Sequence, residues 1–283
     1  MPMIDRKVPA LSAHGFYNVA YHEWGRADNA KVLMCVHGLT RRGRDFDFLA
    51  QALERDYRVL CPDMPGRGLS DFLPVKEDYD YVTYIGAAAA LIARAGVSEL
   101  HWVGTSMGGL IGMMTAAQPN SPIAKLVIND VGPFLPKSAL ERIGSYVGTD
   151  PRYESLAELE KALREVSAPF GPLTDAQWRF LARHYARQLP DGKFTSHYDP
   201  GIAVNIRKAQ PAQDIDLWPV WSQIKCPVLI LRGAQSDLLT PETAQRMQER
   251  PYPTKLVEFA GIGHAPALLA EDQIKIIKDW LLA

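Results

Sequence analysis

The chain has 283 residues and a nearly balanced charge, with 31 Lys plus Arg against 32 Asp plus Glu. This length allows one large α/β domain with an insertion, but not two full catalytic domains. The charge balance argues against nucleic acid as a partner, and no segment approaches the roughly 18 uncharged apolar residues of a membrane-spanning helix. We therefore expect a cytoplasmic protein. Its three cysteines, Cys35, Cys61 and Cys226, are expected to be reduced and buried beside strands.

Strands and helices alternate along the first 130 residues. The predicted strands lie at 16–24 (paired with the segment before it as an antiparallel ribbon), 31–36, 57–61, 100–103 and 123–128. The predicted helices lie at 45–55, 81–95 and 110–118. Such alternation predicts a mostly parallel sheet covered by helices on both faces, with a functional edge at the carboxyl ends of its strands.

A serine lies between two of these elements. Residues 104–108 read Gly-Thr-Ser-Met-Gly and join the strand at 100–103 to the helix at 110–118. Glycines on either side permit a sharp turn, so the hydroxyl of Ser106 is expected to project above the sheet edge. The strand, turn and helix order favours a nucleophile over an ordinary turn serine.

The middle of the chain departs from this alternation. Between residues 133 and 219 the sequence is helix-like at 155–166 and 174–188 and contains no convincing strand of sheet length. Prolines punctuate its two ends, as expected where a chain leaves and rejoins a sheet. These prolines are Pro133, Pro136, Pro211 and Pro219. We therefore predict a core domain of residues 1–132 and 220–283, and a helical cap at 133–219.

Two further candidates follow in the last quarter of the chain. A buried strand at 226–233 is followed four residues later by Asp237, and a strand at 255–259 leads into a glycine-rich loop that contains His264. A serine hydroxyl becomes a nucleophile when a base removes its proton and a third group orients that base. The order serine, acid, histidine is the one found on the α/β-hydrolase sheet.

With these residues the chain resembles the α/β-hydrolase superfamily, as an esterase-like member with a serine nucleophile. Besides the serine turn, the resemblance rests on Cys-Val-His-Gly at 35–38 and on Cys-Pro-Asp-Met-Pro-Gly-Arg-Gly-Leu-Ser-Asp at 61–71. It implies an eight-stranded sheet, with the cap inserted after the sixth strand. It also implies an oxyanion hole formed by the amides of Leu39 and Met107, and a supporting role for His37 in the shape of that loop. Asp63 and Arg67 are expected to brace a neighbouring turn.

The acid has two candidates. Asp130 ends the strand at 123–128 and could also orient an imidazole, and some relatives take their acid from that strand. The spacing from Gly233 to Asp237, and the short distance onward to His264, match the commoner arrangement. We therefore predict Asp237 as the acid and keep Asp130 as the alternative.

The substrate side of the site is predicted from cap aromatics and from one cationic run. Phe134, Trp178 and Tyr185 are candidates to line an apolar pocket, although packing within the cap is the more common role for any single aromatic residue there. Arg41 belongs to a run with Arg42 and Arg44 and is a candidate to bind a substrate carboxylate, the alternative being a solvated loop. Histidine and cysteine spacing predicts no metal, and no cofactor is expected.

These features together predict hydrolysis of carboxylic esters of small to medium, largely uncharged molecules. A lactonase or a thioesterase would use the same residues, whereas a carbon-carbon bond hydrolase of ring-cleavage products would need polar groups in the cap for a dienoate. These activities remain alternatives. A ligand-binding or signalling protein with slow turnover is a further alternative, and a homodimer is compatible with the sequence. Substrate profiling discriminates among the hydrolytic activities, and tight retention of product would mark the ligand-binding protein.

Overall fold

The computed structural model describes residues 2–210 and 212–283, so Pro211, one of the prolines at the end of the predicted cap, lies outside the described residues. The strands, in chain order, are β1 (Ile4–Ser12), β2 (Gly15–Trp24), β3 (Val32–Val36), β4 (Arg58–Pro62), β5 (Leu100–Thr105), β6 (Ile123–Asn129), β7 (Phe134–Leu135), β8 (Ala186–Gln188), β9 (Phe194–Ser196), β10 (Ile215–Asp216), β11 (Val228–Gly233) and β12 (Thr254–Phe259). The α-helices are α1 (Asp47–Leu53), α2 (Tyr81–Ala95), α3 (Met107–Ala116), α4 (Lys137–Tyr146), α5 (Leu156–Val166), α6 (Asp175–Tyr185), α7 (Val204–Lys208), α8 (Trp218–Trp221), α9 (Pro241–Arg246) and α10 (Glu271–Leu282). Four 3₁₀ turns accompany them at Gly43–Phe46, Lys76–Asp78, Ala168–Phe170 and Pro200–Ala203.

One eight-stranded sheet organises the molecule, in the order β1-β2-β4-β3-β5-β6-β11-β12. Strand β2 is antiparallel to both of its neighbours, whereas every pair from β4 to β12 is parallel. The predicted mostly parallel sheet is thus confirmed. The carboxyl ends of β3, β5, β6, β11 and β12 meet at one edge, because parallel strands point the same way.

Helices cover both faces of this sheet, and the strands between them are buried on both sides. Strand β3 is buried throughout, with Met34 in the apolar core on one face and Leu33 and Cys35 in the core on the other. Continuous apolar strands of this kind require cover on both faces. Helix α2 supplies part of that cover. It begins where the Asp80 side chain accepts from the Thr83 amide at 2.8 Å, and it ends at Gly96, whose φ is 70°.

The segment between β6 and β11, called the cap below, contains helices α4 to α8, and a short ribbon joins its two ends. Strand β7 pairs with β10, and the Leu217 amide donates to the Pro133 carbonyl at 2.6 Å, so the two ends of the insertion leave and rejoin the core side by side. Two ribbons within this segment, β7 with β10 and β8 with β9, were not predicted from the sequence. The predicted helix at 174–188 ends at Tyr185, because the next three residues pair as β8.

Buried contacts fasten the cap to the core. The cap carboxylate of Asp199 accepts from Lys76 Nζ at 2.5 Å and from the Tyr79 hydroxyl at 2.7 Å, and both partners lie between β4 and α2. Leu269, from the segment before α10, packs into the apolar cluster of α5 and α6. In the part of the chain that the structure describes, no helix is long and apolar enough to cross a membrane.

Candidate active site

Ser106 occupies the turn between β5 and α3, in a backbone conformation that few residues adopt. Its φ is 50° and its ψ is −114°. A Cβ on Gly104 would lie 2.2 Å from the Gly108 carbonyl oxygen, and one on Gly108 would lie 2.0 Å from the Val36 carbonyl oxygen. Both positions therefore exclude any larger residue, and this close approach of β5, α3 and β3 is what raises the serine above the strand ends.

His264 lies in the loop after β12 and is hydrogen-bonded on both sides of its ring. Its Nε2 is 2.9 Å from Ser106 Oγ, and its Nδ1 is 2.7 Å from Asp130 Oδ2. Because a carboxylate oxygen accepts, Nδ1 carries the proton and the lone pair of Nε2 faces the serine hydroxyl. An imidazole in this tautomer can accept the hydroxyl proton.

Asp130 is held rigidly at the end of β6. Its side chain is fully buried, its φ is 58°, and its second oxygen, Oδ1, accepts from the Gly233 amide at 2.8 Å. Both carboxylate oxygens are therefore engaged, one by a backbone amide of β11 and one by His264. The preceding residue helps to align the loops, since Asn129 Nδ2 donates to the carbonyl of Pro266 at 2.8 Å and to Thr105 Oγ1 at 3.0 Å.

The predicted pairing of Asp237 with His264 is not found, and the alternative, Asp130, takes that contact. Asp237 instead accepts from Arg142 of helix α4 at 2.5 and 2.8 Å, with its own side chain 48% exposed. Partial burial acts to raise the pKa of Asp237, but the hydrogen bonds and charge of Arg142 hold it below its ordinary value. Asp237 is therefore engaged by the cap rather than by the histidine, and nothing in its local sequence indicates that partner.

The resemblance assigns an oxyanion hole to the amides of Leu39 and Met107. Leu39 follows β3 and Met107 begins α3, and both residues line the same cavity as Ser106. No hydrogen bond from either amide is found among residues 2–210 and 212–283. The first amides of a helix have no intrahelical acceptor and lie at its positive end, so Met107 can donate to an oxyanion. Fully buried Arg67 holds the opposite loop by donating from Nε to the Leu39 carbonyl at 2.9 Å.

His37 braces the same loop as a neutral imidazole. Its Nδ1 donates to the Gly38 carbonyl at 2.7 Å, and its Nε2 accepts from the Met64 amide at 2.9 Å. Burial, with a smaller contribution from the charge of Arg67, lowers the pKa of His37 to about 4. The predicted bracing contacts of His37, Asp63 and Arg67 are all present, since Asp63 accepts from the amides of Gly43 and Leu69, each at 2.8 Å.

Acid is therefore expected to destabilise the fold through His37. The pKa of His37 is about 4 in the folded state and roughly 6.5 in an unfolded chain, so between these values the unfolded state binds more protons. The stabilisation is complete above pH 6.5 and is lost as the pH falls toward 4. Urea unfolding at several pH values measures it, and His37→Gln should show a flatter dependence of the unfolding free energy on pH. An unchanged slope in that variant would contradict the assignment.

A cavity of about 1570 Å³ lies between the sheet edge and the cap, with Ser106 and His264 on its wall. The aromatic side chains that line it from the cap are Tyr146, Tyr153, Phe170, Tyr185 and Tyr198. Of the predicted pocket residues, Tyr185 and Arg41 line the cavity, whereas Phe134 and Trp178 do not. Phe134 belongs to the ribbon at the base of the cap, and Trp178 is buried in the cap's own apolar cluster. One face of each cap helix must pack on its neighbours, and the sequence does not indicate which face that is.

The chain belongs to the α/β-hydrolase family, because the model of that family matches residues 33–274. Among curated proteins it is 46% identical to the 3-hydroxybutyrate-oligomer hydrolase of Cupriavidus necator, over 96% of each chain. This relative and the family match establish that the chain is a hydrolase of the α/β family.

Solved structures agree with this assignment. A putative hydrolase from Rickettsia typhi superposes with a TM-score of 0.92 at 31% identity, covering 100% of this chain and 99% of the other. An α/β hydrolase from Novosphingobium aromaticivorans superposes with a TM-score of 0.87 at 36% identity, covering 99% and 98%.

Proposed function

We propose that this protein is a serine hydrolase of carboxylic esters, and that short oligoesters of 3-hydroxy acids are its substrates. The observation that supports the reaction type is the chain of hydrogen bonds from Ser106 through His264 to Asp130. Ser106 and His264 line the cavity together with Leu39 and Met107, whose backbone amides are free to donate. An activated nucleophile, an oriented base and preorganised oxyanion donors are the parts that acyl transfer needs.

In the first half-reaction, Ser106 Oγ attacks the ester carbonyl carbon while His264 Nε2 takes the hydroxyl proton. The carbonyl oxygen becomes an anion held by the amides of Leu39 and Met107. Asp130 keeps the proton of His264 on Nδ1 and stabilises the imidazolium that forms. When the carbon-oxygen bond to the alcohol breaks, His264 returns the proton to the departing alkoxide, and the acyl group stays on Ser106.

In the second half-reaction, water replaces the alcohol. His264 removes one proton from the water as its oxygen attacks the acyl carbon, and the same two amides bind the new oxyanion. Collapse breaks the bond to Ser106 Oγ, which recovers its proton from His264. The products are one carboxylic acid and one alcohol for each water consumed.

Two observations support the substrate class. The relative from Cupriavidus necator, which matches this chain over almost its whole length, is named for hydrolysis of 3-hydroxybutyrate oligomers. The cavity of about 1570 Å³ exceeds the roughly 300–1000 Å³ typical of small-molecule sites. A chain of several hydroxy-acid units fits such a space better than a single short ester does.

The direct test combines active-site labelling with a substrate panel. A fluorophosphonate should add once to the protein, at the peptide that contains Ser106. Turnover should decrease in proportion to the labelled fraction. The panel comprises p-nitrophenyl esters from acetate to decanoate, 3-hydroxybutyrate dimer to tetramer, a lactone, a thioester and a dienoate ring-cleavage product. Of the whole panel, the 3-hydroxybutyrate dimer, trimer and tetramer are expected to be hydrolysed with the highest kcat/KM. A preference for the thioester, the lactone or the dienoate would overturn the substrate class, and absence of both adduct and turnover would overturn the mechanism.

A further inference from the structure

We propose that Arg41 binds the terminal carboxylate of the oligoester, so that the ester bond nearest the carboxyl end is placed at Ser106 and one hydroxy-acid unit leaves per turnover. This inference rests on the proposed function and adds the end of the chain at which cleavage occurs. It assigns to Arg41 the selection of the bond that is cleaved, separately from the chemistry at Ser106.

Arg41 lies close to the serine. The point that a Cβ on Gly38 would occupy is 3.7 Å from Arg41 Cγ and 3.7 Å from Ser106 Cβ, so these two carbons are separated by no more than twice that distance. The backbone amide of Arg41 donates to the Gly38 carbonyl at 3.0 Å, which fixes the turn that also contains Leu39. Arg41 therefore belongs to the same loop as Leu39, which supplies one of the two proposed oxyanion amides.

Of the three arginines in this run, Arg41 is the one that lines the cavity. Arg42 donates to the buried carboxylate of Asp63 and to the His184 carbonyl, and Arg44 is paired with Asp47. Arg41 donates to Asp45 from Nε at 2.6 Å and from Nη2 at 2.8 Å. One carboxylate thus balances the charge of Arg41.

The remaining nitrogen of Arg41 has no such partner. Nη1 is buried and makes no hydrogen bond within the described ranges, and the residue as a whole is 8% exposed. The rings of Phe170 and Tyr185 lie 5.7 and 5.2 Å from the guanidinium carbon, and aromatic faces attract a cation without accepting its N–H groups as an oxygen does. A buried donor without an acceptor is costly, so a ligand oxygen is the partner that this group lacks.

Both covering rings belong to the cap, one in the 3₁₀ turn at Ala168–Phe170 and the other at the end of α6. A small displacement of these two side chains would open Nη1 to the cavity. A guanidinium forms strong charge-assisted hydrogen bonds to a carboxylate, and stacking between rings keeps it oriented for them.

The last unit of the oligoester is short enough to lie between the Arg41 side chain and Ser106. The last unit of a 3-hydroxy-acid oligomer is joined through its hydroxyl and ends in a free carboxylate, so it is the alcohol that leaves when the last ester bond is cleaved. Four bonds separate the carboxylate carbon from the carbonyl carbon of that ester, or about 5 Å in an extended chain. A cation beside the oxyanion loop can therefore hold the carboxylate while Ser106 attacks.

The experiment compares each oligomer with its methyl ester, in which the terminal charge is removed and the scissile bonds are kept. For the full-length protein we expect a higher kcat/KM on the free acid. With a tetramer whose unit at the carboxyl end is labelled with ¹³C, mass spectrometry should find the label in the released monomer. In Arg41→Gln the ratio of free acid to methyl ester should fall by about tenfold to a hundredfold, as expected for loss of a hydrogen bond to a charged group. Cleavage of the tetramer should then spread to internal bonds.

Arg44→Gln is the matched control, because Arg44 belongs to the same loop but not to the cavity wall, and its ratio should equal that of the unmodified protein. An equal fall for acid and methyl ester in Arg41→Gln would mean a structural role for Arg41 and would overturn the inference. A fall in the ratio of free acid to methyl ester in Arg142→Gln, without such a fall in Arg41→Gln, would also overturn the inference. If the unmodified protein cleaves both forms equally well, the inference fails and the proposed function stands. If it cleaves no ester, both fail.

Discussion

Replacement of Ser106 by alanine is expected to lower kcat/KM for the 3-hydroxybutyrate trimer on the order of 10⁴-fold or more, because it removes the hydroxyl that forms the acyl intermediate. Ser106 Oγ is the atom that His264 Nε2 contacts at 2.9 Å, and alanine leaves the base without a nucleophile to activate. Fluorophosphonate labelling should be lost together with turnover. Initial rates of acid release, measured by titration at constant pH, give the result.

The fold should survive this substitution, since alanine keeps a Cβ at the same positive φ and removes one hydroxyl. Thermal unfolding of the variant should therefore match that of the unmodified protein. Ser222→Ala is a suitable control, because Ser222 is exposed and its hydroxyl donates to the Pro219 carbonyl within α8. Residual turnover above one percent in well-folded Ser106→Ala would exclude Ser106 as the nucleophile.

Replacement of Asp130 by asparagine is expected to lower kcat by about 10⁴-fold, because it reverses the tautomer of His264. The Gly233 amide donates to the Oδ1 position at 2.8 Å, so the carbonyl oxygen of the new amide must lie there. Its NH₂ group then faces His264 Nδ1, which can only accept from it. The ring proton moves to Nε2, where it blocks transfer of the proton from Ser106.

Asp237→Asn is the matched comparison. This change weakens the ion pair with Arg142, in which both side chains are close to half exposed, and exposed pairs contribute little to stability. We expect kcat to fall by less than about tenfold, since the contact between His264 and Asp130 remains. Single-turnover rates with p-nitrophenyl butyrate separate the two variants. A larger loss for Asp237→Asn than for Asp130→Asn would return the acid role to Asp237.

Features that depend on neighbouring residues could be predicted from the sequence alone. The apolar strands at 31–36 and 123–128 differ by no more than one residue at either end from β3 and β6, and the predicted helix at 81–95 coincides with α2. The glycines around Ser106 predict the sharp turn, because two of them lie against backbone oxygens. Each of these features depends on residues adjacent in the chain, so pattern and steric constraint are sufficient to find it.

Features that depend on contacts between distant segments could not be predicted in this way. The partner of His264 is Asp130, 134 residues earlier, and Asp237 is engaged by Arg142, 95 residues earlier. In the same way, Tyr185 and Arg41 line the cavity while Trp178 packs inside the cap, a division set by how the insertion folds back on the sheet. Spacing along the chain places both acids at the same sheet edge, but it does not specify which carboxylate a neighbouring helix engages. That choice depends on side-chain geometry across the assembled cap and core.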